Sequence, residues 1–111
     1  MNVDVKTQGD VCVVSPHGDI KIGEGDLVLR DAVHQQIEKG CRKVVLDLGD
    51  VRYMDSAGIG EVVACLKRVR ESGGDMKLAG LNKRLLDLFN LTRLLLIFQV
   101  HDNVEAAAKS F

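Results

Sequence analysis

The sequence predicts an α/β fold in which one mixed, five-stranded sheet is packed by about four helices. Short apolar runs of strand length alternate along the chain with segments of helical periodicity, and glycine-containing turns separate them. The 111 residues are enough for one core without disulfides or metals. No linker, repeat or low-complexity tract interrupts the pattern, so residues 1–111 are expected to form a single domain.

The first two strands are predicted to form a hairpin. Apolar and polar residues alternate over Val3–Thr7, which indicates a half-buried edge strand. A tight turn at Gly9–Asp10 leads into Val11–Val14, a continuously apolar run that is typical of a strand covered on both faces. The segment Ser15–Asp26 contains the only proline and three glycines, and it is predicted to be a loop.

A strand–helix–strand unit follows this loop. Apolar residues spaced by four predict a helix over Leu27–Lys39, with Asp26 as its N-cap and Gly40 as its left-handed C-terminal residue. The apolar run Lys43–Leu48 is the next strand, and the crossover between parallel strands should be right-handed. A second helix is predicted over Ala57–Ser72.

The last third of the chain repeats the alternation. Met76–Ala79 is predicted to be a strand, and Asn82 can cap the helix that follows it. The end of a dense apolar run, Ile97–Val100, is predicted to be the fifth strand. Asp102 and Glu105 match a capping box, which predicts a short final helix.

The overall charge excludes some classes of partner. Charged residues make up 28% of the chain and the formal net charge is −1, so no global field attracts nucleic acid or a membrane surface. A small basic cluster at Lys67, Arg68 and Arg70 lies near the end of a predicted helix, where cations suit the helix dipole. Met1–Asp10 does not have the pattern of a signal peptide, and no apolar run approaches the ~20 residues of a membrane helix. We therefore expect no direct nucleic-acid binding and no membrane insertion.

The three cysteines indicate a reducing compartment. Cys12, Cys41 and Cys65 are far apart, and no Cys-x-x-Cys spacing suggests a zinc site or a redox motif. Cys12 and Cys65 lie inside apolar runs and are predicted to be small core residues. A cytoplasmic location is the expectation that follows.

One junction, Val51–Gly60, contains the residues with the clearest chemical meaning. A strand ends before it and a helix begins within it, so free amides and the helix dipole favour negative charge near Asp55 and Ser56. One interpretation is that either residue only caps the helix. A bare first turn with Gly58 and Gly60, each costing about 1 kcal/mol of helix propensity relative to alanine, fits either a close partner surface or internal crowding.

The common catalytic motifs are incomplete around this junction. A nucleophile elbow needs Gly-x-Ser-x-Gly, but Met54 stands at the first glycine position. His34 is expected to be exposed, whereas His17 and His101 lie near strand ends with no pairing to Ser56 that the sequence reveals. We therefore expect no catalytic residue.

Nucleotide and metal motifs are also incomplete. The start of a Gly-x-Gly-x-x-Gly pattern at Gly58 has Val63 at its third glycine position, and no Gly-Lys-Ser/Thr occurs. Asp47, Asp50 and Asp55 could form a weak Mg²⁺ site, but aspartates near strand ends more often cap turns and helices. We expect neither a metal nor a cofactor.

The junction and its surroundings resemble the STAS domain of anti-sigma factor antagonists. The resemblance rests on Asp55–Gly58, preceded by the strand Val44–Leu48 and by Val51–Met54. Gly73–Gly74 and the closing run Ile97–Asp102 fit the same pattern, so the likeness covers nearly the whole chain.

The resemblance implies a phosphorylation-switched binding module of bacterial type that is not an enzyme. An anti-sigma factor serine kinase would phosphorylate Ser56. The unphosphorylated protein would bind that kinase and so release a sigma factor, and a serine phosphatase would reset it. A monomer or weak dimer is expected.

The resemblance also defines a partner-binding surface with one departure from the family's pattern. The predicted residues are Asp19, Ile20, Lys21, Ile22, Asp55, Ser56, Ala57, Gly58, Gly60 and Glu61. Lys21 stands where the family often has an aspartate, and this change could alter which kinase is accepted or could let the lysine contact the phosphate.

Two other functions remain open at this point. The chain could be a non-switching STAS accessory subunit of a membrane lipid transporter, which would co-purify with an ATPase subunit. It could also be a scaffold in a large stress-sensing assembly, which the size measured in solution would reveal.

Overall fold

The computed structural model describes residues 1–111 and contains five strands and four α-helices. In chain order the elements are β1 (Asn2–Gln8), β2 (Val11–His17), α1 (Gly25–Glu38), β3 (Lys43–Asp47), α2 (Ser56–Glu71), β4 (Asp75–Ala79), α3 (Lys83–Leu91), a 3-10 turn (Leu94–Leu96), β5 (Val100–His101) and α4 (Val104–Lys109). None of the helices is both long and apolar enough to cross a membrane.

The five strands form one mixed sheet in the order β1-β2-β3-β4-β5. β1 and β2 are an antiparallel hairpin closed at Gln8 and Val11, whereas β2, β3, β4 and β5 are parallel. The predicted hairpin and the predicted parallel strands are therefore confirmed, and so is the mixed five-stranded sheet.

Two apolar clusters lie on opposite faces of the sheet. The larger one contains 20 buried residues and packs α1, α2 and α3 against one face, and Leu29 of α1 and Val62 of α2 are among its fully buried members. The smaller one lies under α4 on the other face and consists of Val11, Val13, Val45, Ala79 and Ala107. All of Val11–Val14 is buried, which confirms that β2 is covered on both faces.

The starts of two helices differ from the prediction. α1 begins at Gly25, and its N-cap is Glu24, which makes no side-chain cap bond. Asp26 lies inside the first turn. Gly25 before it packs closely against the backbone of Asp19 and Ile20 in the preceding loop. α4 is capped by Asn103, whose Oδ1 accepts a hydrogen bond of 2.8 Å from the amide of Ala106. The predicted caps Asp26 and Asp102 are therefore wrong.

The fifth strand lies later than predicted. The sequence predicts it over Ile97–Val100, but β5 consists of Val100 and His101. Arg93 has a positive φ of 62° and directs the apolar run into the 3-10 turn. Phe98 is then buried in the core, where its ring lies 5.9 Å from that of Phe89.

Cys12 and Cys41 form a disulfide, with their Cα atoms 6.5 Å apart. Cys12 is buried in the core as predicted, but its disulfide was not predicted. Parallel pairing places Cys12 opposite Val44, and this register brings the residues just before β3 close to β2. The pairing also removes the support that unpaired cysteines gave to a reducing compartment. Cys65 is free and buried as predicted, and burial raises the pKa of its thiol to about 12.

Candidate functional site

The loop after β2 and the loop before α2 lie side by side at one end of the sheet and form the base of the site. The amide of Gly18 donates to the carbonyl of Asp50 at 3.1 Å, and the amide of Ile20 donates to the carbonyl of Tyr53 at 3.0 Å. Ile20 and Met54 form an isolated parallel β-bridge, and both side chains are buried. The loop after β2 is therefore fixed to the loop before α2.

Asp55 connects these two loops to the start of α2. It is the N-cap of the helix, and its Oδ1 accepts a hydrogen bond of 2.8 Å from the amide of Gly58. Its Oδ2 accepts one of 3.0 Å from the amide of Ile22 in the other loop. The amide of Ile22, followed by that of Gly58, holds the pKa of Asp55 below its usual range, so the carboxylate stays charged at neutral pH.

Ser56 is the first residue of α2 and is exposed. Asp55 fills the capping role, so the hydroxyl of Ser56 is not needed for it. The other three serines of the chain donate their hydroxyls within the protein: Ser15 to Asp47, Ser72 to the carbonyl of Val69 and Ser110 to the carbonyl of Ala107. Ser56 thus differs from them in offering its hydroxyl to the outside, beside the free amides of a helix N-terminus.

The two glycines of the first turns of α2 have different surroundings. A Cβ atom at Gly58 would overlap the carbonyl oxygen of Ile20, so the helix approaches the loop as closely as a glycine allows. A Cβ atom at Gly60 would meet no atom within 4 Å. Internal crowding therefore accounts for Gly58, and it leaves Gly60 without a structural reason within the chain.

Glu61 lies in the interface between α1 and α2, not on the exposed surface where the sequence analysis put it. Its side chain is 4% exposed and forms ion pairs of 2.8 Å with Arg30 of α1 and with Arg68 of α2. Burial acts to raise the pKa of Glu61, but the two guanidinium groups outweigh it and the pKa is lowered. Arg68 therefore pairs with Glu61. The sequence had suggested only an interaction of Arg68 with the helix dipole.

The remaining predicted partner-binding residues divide by exposure. Asp19, Lys21, Ile22, Ser56 and Gly60 are exposed, Asp55 and Ala57 are half-buried, and Ile20 and Gly58 are buried. The two buried residues shape the site from beneath, because neither offers a side chain to the surface.

Lys21 lies among groups from both loops. Its Nζ is 3.5 Å from the carboxylate of Asp19 and 5.6 Å from the centre of the Tyr53 ring. Its charge also contributes to the lowered pKa of Asp55. Ile22 next to it is 74% exposed, so the surface around Ser56 combines charge with exposed apolar area.

Asp47, Asp50 and His17 have hydrogen-bond partners within the fold, whereas Nε2 of His101 in β5 is buried without one. Asp47 accepts from the amide of Gly49 at 3.0 Å, whereas Asp50 bonds Nδ1 of His17 at 2.6 Å. Nε2 of His17 bonds Asp4 at 2.7 Å, so both ring nitrogens are occupied and neither is free to activate a serine. His34 is exposed as predicted and pairs with Glu38 at 2.6 Å along α1.

A cavity of about 460 Å³ lies beside the two loops, and among its lining residues only Asp19 was predicted to bind a partner. The lining residues are Gly18, Asp19, Asp50, Arg52, Tyr53 and Arg84. Arg84 comes from α3, whose N-cap Asn82 donates from Nδ2 to the carbonyl of Val51 at 3.3 Å. A signal for the helix cap is present in the sequence, but nothing in it shows that the cap also touches this loop.

Comparison with known proteins gives one family. Residues 2–107 match the family model described as STAS domain. The Anti-sigma-B factor antagonist of Bacillus subtilis is 36% identical over 110 residues, which are 99% of this chain and 94% of that protein.

Solved structures show the same fold. An anti-sigma factor antagonist from Mycobacterium paratuberculosis has a TM-score of 0.87 at 20% identity, covering 98% of this chain and 92% of that one. SpoIIAA in its unphosphorylated form has a TM-score of 0.73 at 15% identity, covering 98% and 96%. SpoIIAA of Bacillus in the phosphorylated form gives the same score and identity, covering 99% and 100%.

Proposed function

Because the chain belongs to the STAS domain family, we propose that it is an anti-sigma factor antagonist whose binding is switched by phosphorylation of Ser56. The observation that carries this proposal is the contrast among the four serines. Three hydroxyls are used inside the protein, and that of Ser56 faces outward from the first turn of a helix.

The proposed cycle has two states. In the unphosphorylated state the protein binds an anti-sigma factor serine kinase, and the sigma factor held by that kinase is released. In the reverse step the kinase transfers the γ-phosphoryl group of ATP to Oγ of Ser56, with loss of the hydroxyl proton and release of ADP. A serine phosphatase then hydrolyses the phosphoserine. These steps place the protein in the cytoplasm, and it acts as substrate and ligand rather than as enzyme.

The fold can accept a phosphate at this position. A phosphoserine brings about −1.5 to −2 charges and three acceptor oxygens. The N-terminus of a 16-residue helix offers free amides and the positive end of its dipole, and no acidic side chain occupies its first turn. Lys21 in the neighbouring loop adds a cation near Asp55. We therefore expect phosphorylation to change the stability of the domain little.

The docked complex cannot accept the same phosphate. A partner that covers Ser56 would have to remove water from a dianion next to the charged Asp55, and unpaired burial of charge costs several kcal/mol. A loss of ~4 kcal/mol already weakens affinity about a thousandfold. Asp19, Lys21, Ile22 and Gly60 are the other exposed residues of the proposed docking surface.

The test is phosphorylation and binding with the purified anti-sigma factor kinase of the same organism. The wild-type protein should gain one phosphate, mapped to Ser56 by mass spectrometry, and Ser56→Ala should gain none. Ser72→Ala is the matched control at the other end of α2, and it should be phosphorylated like the wild type.

Binding provides the second arm of the test. Ser56→Asp should lose the kinase while keeping a melting temperature close to that of the wild type. Phosphate on another residue, with Ser56→Ala unaffected, contradicts the assignment. Co-purification with an ATPase subunit of a transporter, and not with a kinase, would favour the accessory-subunit role.

A further inference from the structure

We propose that the cleft between Arg52 and Arg84 receives acidic side chains of the partner and so selects it by charge. We call the cavity of about 460 Å³ lined by these arginines and by Tyr53 the basic cleft. This inference rests on the proposed function, because it concerns the chemistry of the partner that docks over Ser56.

The basic cleft is lined by two aspartates and two arginines, and only the arginines lack an ion pair within the chain. The carboxylates that line it already have partners: Asp19 lies 3.5 Å from Lys21, and Asp50 lies 2.6 Å from His17. Arg52 and Arg84 are exposed and form no ion pair within the chain. A guanidinium group binds a carboxylate with two parallel hydrogen bonds, so two unpaired arginines at one cleft suit an acidic ligand.

The backbone near the cleft adds to this preference. Arg84 and Lys83 occupy the first turn of α3, where the helix dipole disfavours cations, and no acidic side chain in that turn offsets them. The positive end of the α3 dipole therefore adds to the positive charge of Arg84. An acidic partner would offset both the arginine charges and the positive end of the helix dipole. In the isolated chain both are exposed to water.

The basic cleft is continuous with the proposed docking surface. Arg52 and Tyr53 belong to the loop that ends at Asp55, and the bond from Asn82 to Val51 holds the start of α3 against that loop. The Tyr53 ring is 41% exposed and offers apolar area between the cleft and Lys21. A partner that covers Ser56 would therefore also reach the arginines.

Lys21 adds a third cation to the surface that an acidic partner would cover. Lys21, Arg52 and Arg84 are three exposed cations near Ser56, and of these Lys21 already pairs with Asp19. A phosphate on Ser56 would then repel the carboxylates of the partner, which adds to the desolvation of the dianion. The charge that selects the partner thus strengthens the release of the same partner on phosphorylation.

The experiment measures the affinity of the purified anti-sigma factor kinase of the same organism for single variants and for a charge reversal, at low and at physiological salt. Arg52→Ala and Arg84→Ala should each weaken the Kd by roughly tenfold. The double variant Arg52→Glu/Arg84→Glu should weaken it by roughly a hundredfold or more and reduce its salt dependence. Lys67→Glu is the matched control, because Lys67 is exposed, forms no ion pair within the chain and lies outside the basic cleft.

The outcomes separate this inference from the proposed function. The inference is overturned if the reversed variant, folded as shown by a melting temperature no lower than that of the wild type, binds as tightly as the wild type or more tightly. If Ser56→Asp still releases the kinase in that case, only the basic cleft is wrong. If the wild type does not bind the kinase, both proposals fail.

Discussion

Alanine substitutions at Gly58 and Gly60 should have opposite effects on stability, although the two glycines are only two residues apart in α2. At Gly60 the new methyl group meets no atom within 4 Å, so the substitution changes only the backbone entropy of the helix. At Gly58 the methyl group overlaps the carbonyl oxygen of Ile20, so the helix and the loop must separate. Their separation would strain the hydrogen bonds that Asp55 accepts from Gly58 in the helix and from Ile22 in the loop.

The magnitudes follow from these two environments. Replacing a helical glycine by alanine stabilises by about 1 kcal/mol. With an unfolding entropy of about 2.1 cal/mol/K per residue, the 111 residues convert this to a rise of roughly 4 °C in melting temperature for Gly60→Ala. Overpacking costs about 3 kcal/mol where backbone must move, so Gly58→Ala should lose about 2 kcal/mol net, or roughly 9 °C.

Thermal unfolding followed by circular dichroism measures both variants, and the difference of roughly 13 °C between them is the sharper quantity. Kinase binding by Gly60→Ala is the companion measurement, and we expect it to fall even though the protein is more stable. A melting temperature of Gly58→Ala equal to or above that of Gly60→Ala would show that α2 does not press on Ile20 as described.

Two further perturbations test other parts of the molecule. The carboxylates of Asp50 and Asp4 raise the pKa of His17 above its usual 6.5, so the stability from these contacts is complete below about pH 6.5 and is lost as the pH rises through the raised pKa. The melting temperature of the wild type should therefore exceed that of His17→Gln by more at about pH 5.5 than at about pH 8.5, and a difference that does not vary with pH would contradict the contact. For the disulfide, the 29-residue separation of Cys12 and Cys41 gives about 3.6 kcal/mol from the chain-entropy relation, so a thiol reductant should lower the melting temperature of the wild type and leave that of the double variant Cys12→Ala/Cys41→Ala unchanged. Equal melting temperatures with and without reductant would show that the bond adds nothing.

Local signals were sufficient for much of the fold. The alternation in β1, the apolar runs of β2, β3 and β4 and the caps Asp55 and Asn82 depend on residues close in sequence, and the structure contains them. The position of Ser56 at a helix N-terminus follows from the same signals.

Features that depend on distant partners were not predictable in this way. Glu61 in α2 was expected at the partner-binding surface that the family resemblance implied, but Arg30 in α1 makes its burial possible from 31 residues away. The pairing of Cys12 with Cys41 follows from the register of β2 on β3, which no single segment encodes. Arg84 joins the candidate site for the same reason, through the packing of α3 beside the loop before α2.

The order of the strands in the sheet is the same as their order in the chain, and this has a consequence for folding. No strand has to insert between two that are already paired, so each new β–α unit can add to the growing edge as it leaves the ribosome. The two loops around Ser56 and the whole of α2 lie within the first 71 residues. The proposed phosphoacceptor surface can therefore form while the chain is still being synthesised, and the packing of α3 then adds Arg84 to its border.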